Sequence, residues 1–152
     1  MRSAVISDSS CFIALMNIGR SELLRKVYDE VLTTPQIASE VGPGLPAWVV
    51  VNAPGDHAMV ARLGAGLDPG EASAIALAIE IPGTQLVLDE IPARKVARAL
   101  GLVITGTLGV LISAKVNGDL PAILPVLNEL ERVSFRMSAA LRRHALYLAG
   151  EE

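Results

Sequence analysis

The stretch Ala4-Val5-Ile6-Ser7-Asp8-Ser9-Ser10 is a short apolar run that ends in an aspartate and two serines. Such a run predicts a buried first strand. The serines can cap a helix over about residues 11–18, which Gly19 would end. A similar pattern occurs at Leu86-Val87-Leu88-Asp89, with a predicted helix over about residues 93–100 behind it. Both segments therefore predict a strand that leads directly into a helix.

Strands and helices alternate along the rest of the chain. Further strands are predicted at residues 31–33, 48–51 and 102–104, and further helices at about residues 21–28, 35–42, 57–63, 69–81, 105–116, 121–130 and 139–149. This alternation predicts an α/β protein with a central parallel sheet of about four or five strands and helices on both faces. We expect residues 1–152 to form a single domain, because no repeat, low-complexity segment or linker interrupts them.

The composition is that of a folded protein outside the membrane. Apolar residues make up 51% of the chain and charged residues 19%, which is ample for one core. The mean hydropathy of +0.47 suggests that part of this surface is buried against another chain. The longest uncharged run, residues 99–114, is shorter than the roughly 20 residues of a membrane-spanning helix. With no export signal expected and Cys11 as the only cysteine, we predict a cytoplasmic protein.

The formal net charge is −3, whereas proteins that bind nucleic acid nonspecifically are usually basic. Tight nonspecific binding to DNA is therefore not expected. A nucleic-acid substrate is compatible with this charge if a metal ion offsets the acidic groups locally.

Two aspartates, Asp8 and Asp89, directly follow predicted strands. The carboxyl ends of parallel strands line the functional crevice of an open α/β sheet, so these two side chains can face each other there. An aspartate after a strand also commonly caps the next helix. That alternative remains open for each of them.

Two glutamates extend the acidic set. Glu71 is the third residue of the helix that starts after Asp68, and it shares a face with Ile75 and Ala78. Its alternative role is a capping box with Asp68. Glu40 lies near the end of a short helix, where a carboxylate is electrostatically unfavourable, which hints at a reason other than helix stability. Its alternative is a solvated surface glutamate.

Four crowded carboxylates raise one another's pKa, and a divalent cation removes that conflict. Carboxylate and hydroxyl oxygens suit Mg²⁺ or Mn²⁺. Zinc is disfavoured, because His57 and His144 lie far apart in the sequence and there is one cysteine. The pattern therefore predicts a Mg²⁺ or Mn²⁺ site formed by Asp8, Glu40, Glu71 and Asp89.

The order and surroundings of these acids resemble the PIN domain family. Residues 5–10 resemble its first strand with the Asp-x-Ser signature, and Glu40 matches the acid after its second strand. Residues 70–78 resemble the helix with its third acid, and residues 86–90 the strand with its fourth. Residues 101–111 resemble a PIN-like subgroup of largely uncharacterised prokaryotic proteins.

This resemblance implies a three-layer α/β/α fold and a metal-dependent ribonuclease. Proteins of this size resemble the toxin half of VapBC-like toxin–antitoxin pairs, which are usually homodimers silenced by a small antitoxin. The resemblance implies catalytic and metal-binding roles for Asp8, Glu40, Glu71 and Asp89, with metal-activated water hydrolysing RNA phosphodiester bonds. In one departure, Glu71 stands where many members have aspartate, and its longer arm can shift a metal position. Glu90, after Asp89, can assist the metal site indirectly or cap the next helix.

Five further residues are candidates for supporting roles. Ser10 can hydrogen-bond a ligand carboxylate or cap a helix. Thr105 and Thr107, at a helix start, can hold a phosphate or a metal-bound water, or can simply cap the helix. Arg94 and Arg98 lie one helical turn apart and can contact RNA phosphates, although a solvated face is an equal alternative.

Two other functions compete with the nuclease. The main alternative is a catalytically weak PIN-fold module for protein interaction, which the apolar composition also fits. A phosphatase-like or receiver-like domain built on Asp8 is less well supported. The chain lacks a second aspartate two residues on for the first, and paired acids beside Asp8 for the second.

Overall fold

The structure is a computed structural model that describes residues 3–152. Within these residues the elements are β1 (Ala4–Ser7), α1 (Ser9–Asn17), α2 (Glu22–Val27), β2 (Glu30–Thr33), α3 (Pro35–Val41), β3 (Val50–Val51), α4 (His57–Gly64), α5 (Pro69–Glu80), β4 (Gln85–Val87), α6 (Ile91–Ala99), β5 (Ile104–Thr105), α7 (Thr107–Val116), α8 (Leu124–Arg132) and α9 (Ala139–Leu148). The predicted alternation of strands and helices is confirmed.

The strands of the described residues form one five-stranded sheet in the order β3-β2-β1-β4-β5. All four pairings are parallel, so the prediction of a parallel sheet is confirmed. The chain builds the sheet outward from β1 to β3 and then returns to the other side of β1 with β4. This reversal lies between β1 and β4, where open α/β sheets place their functional crevice.

The register of β1 and β4 brings their carboxyl ends level. Ser7 pairs with Val87, and the backbone N–H of Asp8 donates to the carbonyl oxygen of Val87 over 3.2 Å. The residues that follow the two strands therefore start from the same edge of the sheet.

Helices flank the sheet and complete a three-layer α/β/α arrangement. Helices α3, α4 and α5 pack together, as do α2, α7 and α9. Side chains such as Ile6, Phe12, Ile75, Leu86 and Leu111 are fully buried between the layers. No helix in residues 3–152 combines the length and the apolar composition needed to cross a membrane.

Several element boundaries differ from prediction by one to three residues. Strand β3 covers only residues 50–51, because its ladder extends only along Leu32 and Thr33 of β2. Strand β5 starts at Ile104 rather than at residue 102, and α8 starts at Leu124 rather than at residue 121. Helix α1 is capped by Asp8 and not by the predicted serines, which lie inside its first turn.

Candidate active site

Asp8 lies directly after the central strand β1 and is buried. Its Oδ1 accepts a hydrogen bond from the backbone N–H of Cys11 over 3.0 Å, which caps α1. Its Oδ2 accepts one from the backbone N–H of Asp89 over 3.1 Å. The alternative role of Asp8 as a helix cap is confirmed, and the same carboxyl group also joins the ends of two adjacent strands.

Burial raises the pKa of Asp8 from an ordinary 3.8 to about 8, and the negative charge of Asp89 is the second cause. The charge of Glu71 raises the same pKa by a smaller amount, while the N–H donors of Cys11 and Asp89 oppose the shift. A carboxylate at this position is therefore costly unless a positive charge comes close to it.

Asp89 is half-buried where the end of β4 meets the start of α7. Its Oδ1 accepts the backbone N–H of Thr107 over 2.9 Å, and its Oδ2 accepts the hydroxyl group of Thr107 over 2.6 Å. A helix N-terminus carries free N–H groups and a partial positive charge, which favour a carboxylate. Thr107 was predicted to hold a phosphate or a metal-bound water, or to cap the helix; in the structure its N–H and its hydroxyl group both donate to Asp89.

Gly106 allows two side chains to come close to the start of α7. A Cβ atom there would lie 2.9 Å from Oδ1 of Asp89 and 3.1 Å from Nη1 of Arg94, both closer than ordinary contact. Nη1 of Arg94 donates to the carbonyl oxygen of Leu88 over 2.7 Å. Arg94, predicted to contact RNA, thus lies against the turn that carries Asp89, while Arg98 is exposed.

Glu40 is exposed near the end of α3, and its Oε2 accepts the hydroxyl group of Ser9 over 2.8 Å. The carboxyl group also lies over Gly70 at the start of α5, where a Cβ atom would collide with its Oε1. Glu40 is therefore held between α1 and α5. The predicted contact from Ser10 to a carboxylate is made by its neighbour Ser9.

Glu71 forms the capping box that the sequence predicts. Its N–H donates to Oδ1 of Asp68 over 2.8 Å, and the N–H of Asp68 donates to Oε1 of Glu71 over 3.4 Å. Burial raises the pKa of Glu71, and the charge of Asp68 is the second cause. The side chain is half-buried, so the capping role leaves part of its carboxyl group accessible.

A buried hydroxyl pair fixes α3 against α5. The hydroxyl oxygens of Thr34 and Ser73 lie 2.7 Å apart, and the Ser73 hydroxyl donates to the carbonyl oxygen of Gly70 over 2.8 Å. Thr34 also caps α3 by accepting the N–H of Ile37 over 3.3 Å. Because Glu40 lies on α3 and Glu71 on α5, this pair helps set the distance between the two acids.

A cleft of about 320 Å³ opens at this edge of the sheet. We call it the acidic cleft, because four carboxylates and no cation line it: Asp8, Asp68, Glu71 and Glu90. Ser9 and Ser10 form part of the same wall. Glu40 does not line the cleft but contacts Ser9, which does. Asp89 lines two neighbouring cavities instead.

The donor chemistry of this site fits a hard divalent cation. Its ligand atoms are carboxylate and hydroxyl oxygens, the preferred partners of Mg²⁺ and Mn²⁺. The pKa of Asp8 is raised by burial and then by the negative charge of Asp89, and a cation would offset both effects. Across residues 3–152, however, no three His, Cys, Asp or Glu side chains lie close enough to hold one ion together. In these positions Glu40 contacts Ser9, and Glu71 contacts Asp68.

The remaining candidates are Thr105, which belongs to the sheet, and Glu90, which lies at the start of α6. The carbonyl oxygen of Thr105 accepts the N–H of Leu88 over 2.9 Å, so Thr105 belongs to the β4–β5 ladder. Its side chain lies over Gly109, where a Cβ atom would collide with it. Glu90 occupies the N-cap position of α6 but makes no capping hydrogen bond through its side chain.

Sequence reasoning missed Ser9, Gly70, Phe135 and Arg136. Ser9 and Gly70 each adjoin a predicted acid, and that adjacency was a usable signal. Phe135 and Arg136 line two cavities together with Asp89, although they lie 46 and 47 positions further along the chain. No local pattern pointed to them, because tertiary packing alone brings them there.

Comparison with known proteins gives one family. No curated protein matches the sequence significantly. A protein-family model described as a PIN domain matches residues 4–151, which is nearly the whole chain and includes all four predicted acids. PIN domain nucleases typically use divalent metals. The chain therefore belongs to the PIN domain family, whose members are generally nucleases.

Proposed function

We propose that this protein is a metal-dependent ribonuclease that hydrolyses RNA phosphodiester bonds. The observation that carries the proposal is the contact between the buried Asp8 and the half-buried Asp89 at the carboxyl ends of adjacent central strands. In a PIN domain this is the position of an acidic nuclease site. The ion is Mg²⁺ or Mn²⁺, held by Asp8, Asp89, Glu40 and Glu71.

When bound, a divalent ion activates water at neutral pH and offsets charge on the phosphate oxygens. The chain supplies the arrangement of the carboxylates. Thr107 orients Asp89, and Ser9 orients Glu40. Asp8 is held by two backbone N–H groups, so its position does not depend on a mobile side chain. Glu40 and Glu71 would join the ion through the carboxyl oxygens that their contacts with Ser9 and Asp68 do not use.

Protons should compete with the metal ion for Asp8, because the pKa of this residue is raised to about 8. Below that pH a metal ion must displace a proton from Asp8 to bind. Metal affinity should therefore rise as the pH increases from 6 to 8, by up to about tenfold per pH unit for one displaced proton.

The biological role we propose is that of the toxin in a type II toxin–antitoxin pair. The protein would act in the cytoplasm as a homodimer and would be silenced by a small antitoxin protein. The apolar composition supports an interface with another chain. Co-expression with the protein encoded by the adjacent gene, followed by co-purification, tests for such a partner.

One observation favours a catalytically weak interaction module as the alternative. Within residues 3–152 the acids do not gather in threes around one point. A module of this kind would keep the fold and the Asp8–Asp89 contact but would not gain stability from Mg²⁺ or Mn²⁺.

The deciding experiment is RNA cleavage by the purified protein with Mg²⁺ or Mn²⁺, beside a variant that carries Asp8→Asn and Asp89→Asn. Metal-dependent cleavage by the wild type alone supports the nuclease and its carboxylates together. Equal cleavage by both proteins indicates contamination or a different site. No cleavage by either, across structured and unstructured RNAs, favours the interaction module.

A further inference from the structure

The acidic cleft continues into two larger cavities. The next one along, of about 620 Å³, shares Ser10, Glu90 and Pro92 with the cleft. We call it the central cavity. The third, of about 510 Å³, shares Asp89, Phe135 and Arg136 with the central cavity, among others. The three cavities therefore adjoin one another near the ends of β1 and β4, and together we call them the groove.

The charge of the lining changes sign along this groove. The acidic cleft is lined by four carboxylates, whereas the third cavity is lined by Arg94, Arg136 and His144 with Asp89 as its one acid. We call it the basic cavity. Arg94 donates one N–H to the carbonyl oxygen of Leu88. Because a guanidinium group has five N–H donors, the other four can bind a ligand.

Of the two arginines that line the groove, Arg136 forms the fewer hydrogen bonds. It is exposed, and it makes no hydrogen bond or ion pair with any other residue in the range 3–152. By contrast, Arg20 is bound to Glu129, and Arg142 to Glu131. The guanidinium group of Arg136 is therefore available to a ligand.

The residue before Arg136 is aromatic: Phe135. The chain has two phenylalanines; Phe12 is fully buried, while Phe135 lines both the central and the basic cavity. The turn before it is fixed, because the N–H of Phe135 donates to the carbonyl oxygen of Leu130 over 3.0 Å. Ser134 has a φ of 65° and is the one non-glycine residue with positive φ within residues 3–152. Such a conformation persists where the surroundings require it.

We propose that Phe135 and Arg136 form a subsite for one nucleotide of a single-stranded nucleic acid, next to the nucleotide whose phosphate lies at the acids. This inference rests on the proposed function and adds residues to it. Arg136 binds the backbone phosphate, and the ring of Phe135 contacts the base. Single-strand binding proteins combine a cation for the backbone with an aromatic face for the base in this way. Both cavities have volumes in the range of small-ligand sites, about 300–1,000 Å³.

The arginines of the basic cavity favour a nucleic-acid strand as the occupant of the groove. A strand carries one phosphate per nucleotide, so it needs a cation beside the reacting phosphate, and the arginines of the basic cavity supply that charge. The net charge of −3 means that the protein as a whole does not attract phosphates, so the cations must be local.

The test measures binding of a fluorescein-labelled 12-nucleotide oligouridylate by anisotropy. Wild-type protein is measured in EDTA, which prevents metal-dependent cleavage, and the Asp8→Asn variant is measured with Mg²⁺. The effect of Arg136→Ala is compared with that of Arg143→Ala, which removes the same charge from an exposed position on α9 that lines none of the three cavities.

We expect Arg136→Ala to weaken binding about tenfold and to reduce the slope of log K against log salt by about 0.7, the value for one phosphate contact in a single strand. Arg136→Lys should restore the slope. Phe135→Leu should weaken binding roughly tenfold with an unchanged slope, because base stacking carries no charge. Its thermal unfolding is recorded alongside, and binding is measured well below the transition.

Equal binding by the Arg136→Ala and Arg143→Ala variants overturns the subsite, and so does the absence of binding under both conditions. A changed oligomeric state in Arg136→Ala, with RNA affinity unaltered, assigns the groove to a second copy of the chain and also overturns it. Cleavage that persists without dependence on Arg136 removes the subsite and leaves the nuclease. Arg136-dependent binding without metal-dependent cleavage supports the subsite and contradicts the nuclease.

Discussion

The backbone N–H of Asp89 donates to Oδ2 of Asp8 over 3.1 Å. One acid of the candidate site is therefore positioned by the main chain of the other, and not by its side chain. Substituting the side chain of Asp89 leaves this donor in place. The position of Asp8 should thus survive changes at residue 89, whereas Asp89 itself depends on Thr107.

The raised pKa of Asp8 predicts an unusual dependence of stability on pH. Because that pKa rises from 3.8 unfolded to about 8 folded, the folded protein binds more protons than the unfolded chain between these values. The wild-type free energy of unfolding, without metal, should therefore fall as the pH rises from about 4 to 8. Asp8→Asn removes the titrating group, so its stability relative to wild type should increase by about 1 kcal/mol or more across that window.

Urea unfolding of both proteins with EDTA at pH 5, 6, 7 and 8 measures this difference. Asp29→Asn, at an exposed aspartate, is the matched control and should show no such trend. A constant difference between wild type and Asp8→Asn over the whole range would contradict a buried proton on Asp8. Excess Mn²⁺ should stabilise the wild type at pH 8, by about 2.7 kcal/mol at 100 times the dissociation constant.

Thr107 is predicted to act through the orientation of Asp89. Thr107→Val keeps the shape of the side chain but removes the 2.6 Å hydrogen bond from its hydroxyl group. Loss of such a supporting contact typically costs about 10- to 100-fold in metal affinity or activity. Thr107→Ser restores the hydroxyl group and should recover most of the loss. Calorimetric titration with Mn²⁺ checks both variants, and equal affinities for Val and Ser would remove the hydroxyl group from the site.

Gly70→Ala is predicted to displace Glu40. The added Cβ atom would meet the Glu40 carboxyl group and lie 3.3 Å from a side-chain carbon of Ile37. Glu40 should lose its hydrogen bond to Ser9, and Mn²⁺ affinity should fall about tenfold. Gly64→Ala is the control, because a Cβ atom there has no neighbour within 4 Å. Unchanged metal affinity in a folded Gly70→Ala protein would separate Glu40 from metal binding.

The buried pair of Thr34 and Ser73 predicts a stability effect. Thr34→Val removes the helix cap of α3 and the 2.7 Å contact with Ser73, and it should cost about 1–2 kcal/mol. Thr34→Ser keeps both contacts and should cost less. The free energy of unfolding in urea distinguishes the two variants. If the Ser variant loses as much as the Val variant, the methyl group of Thr34 contributes as much as its hydroxyl contacts.

The parts of this protein that local chemistry determines could be predicted from its sequence. Asp68 and Glu71 form the predicted capping box because a box needs only two residues three positions apart. The parallel α/β sheet follows in the same way from the alternation of short apolar runs with helices. The expected end-of-strand positions of Asp8 and Asp89 follow from that alternation as well.

The contacts that orient the acids could not be predicted in this way. Ser9 and Glu40 are 31 residues apart, and their contact depends on how α1 packs on α3. Nη1 of Arg94 donates to the carbonyl oxygen of Leu88, and this contact depends on the backbone path after β4. Sequence patterns limit which residues share a face, but the rotamers and distances come from the packing of the whole domain.

The central place of β1 in the sheet has a consequence for the time at which the site can form. Asp8 and its hydrogen-bonding partner Asp89 are 81 residues apart. During synthesis at about 5–20 residues per second, roughly 4–16 s separate their appearance. In that interval β1 can pair with β2 but has no neighbour on its other side, so the acidic pair does not exist. A nascent or prematurely terminated chain that ends before β4 would thus carry Asp8 without nuclease activity. The complete site could form only after more than half of the protein had been made.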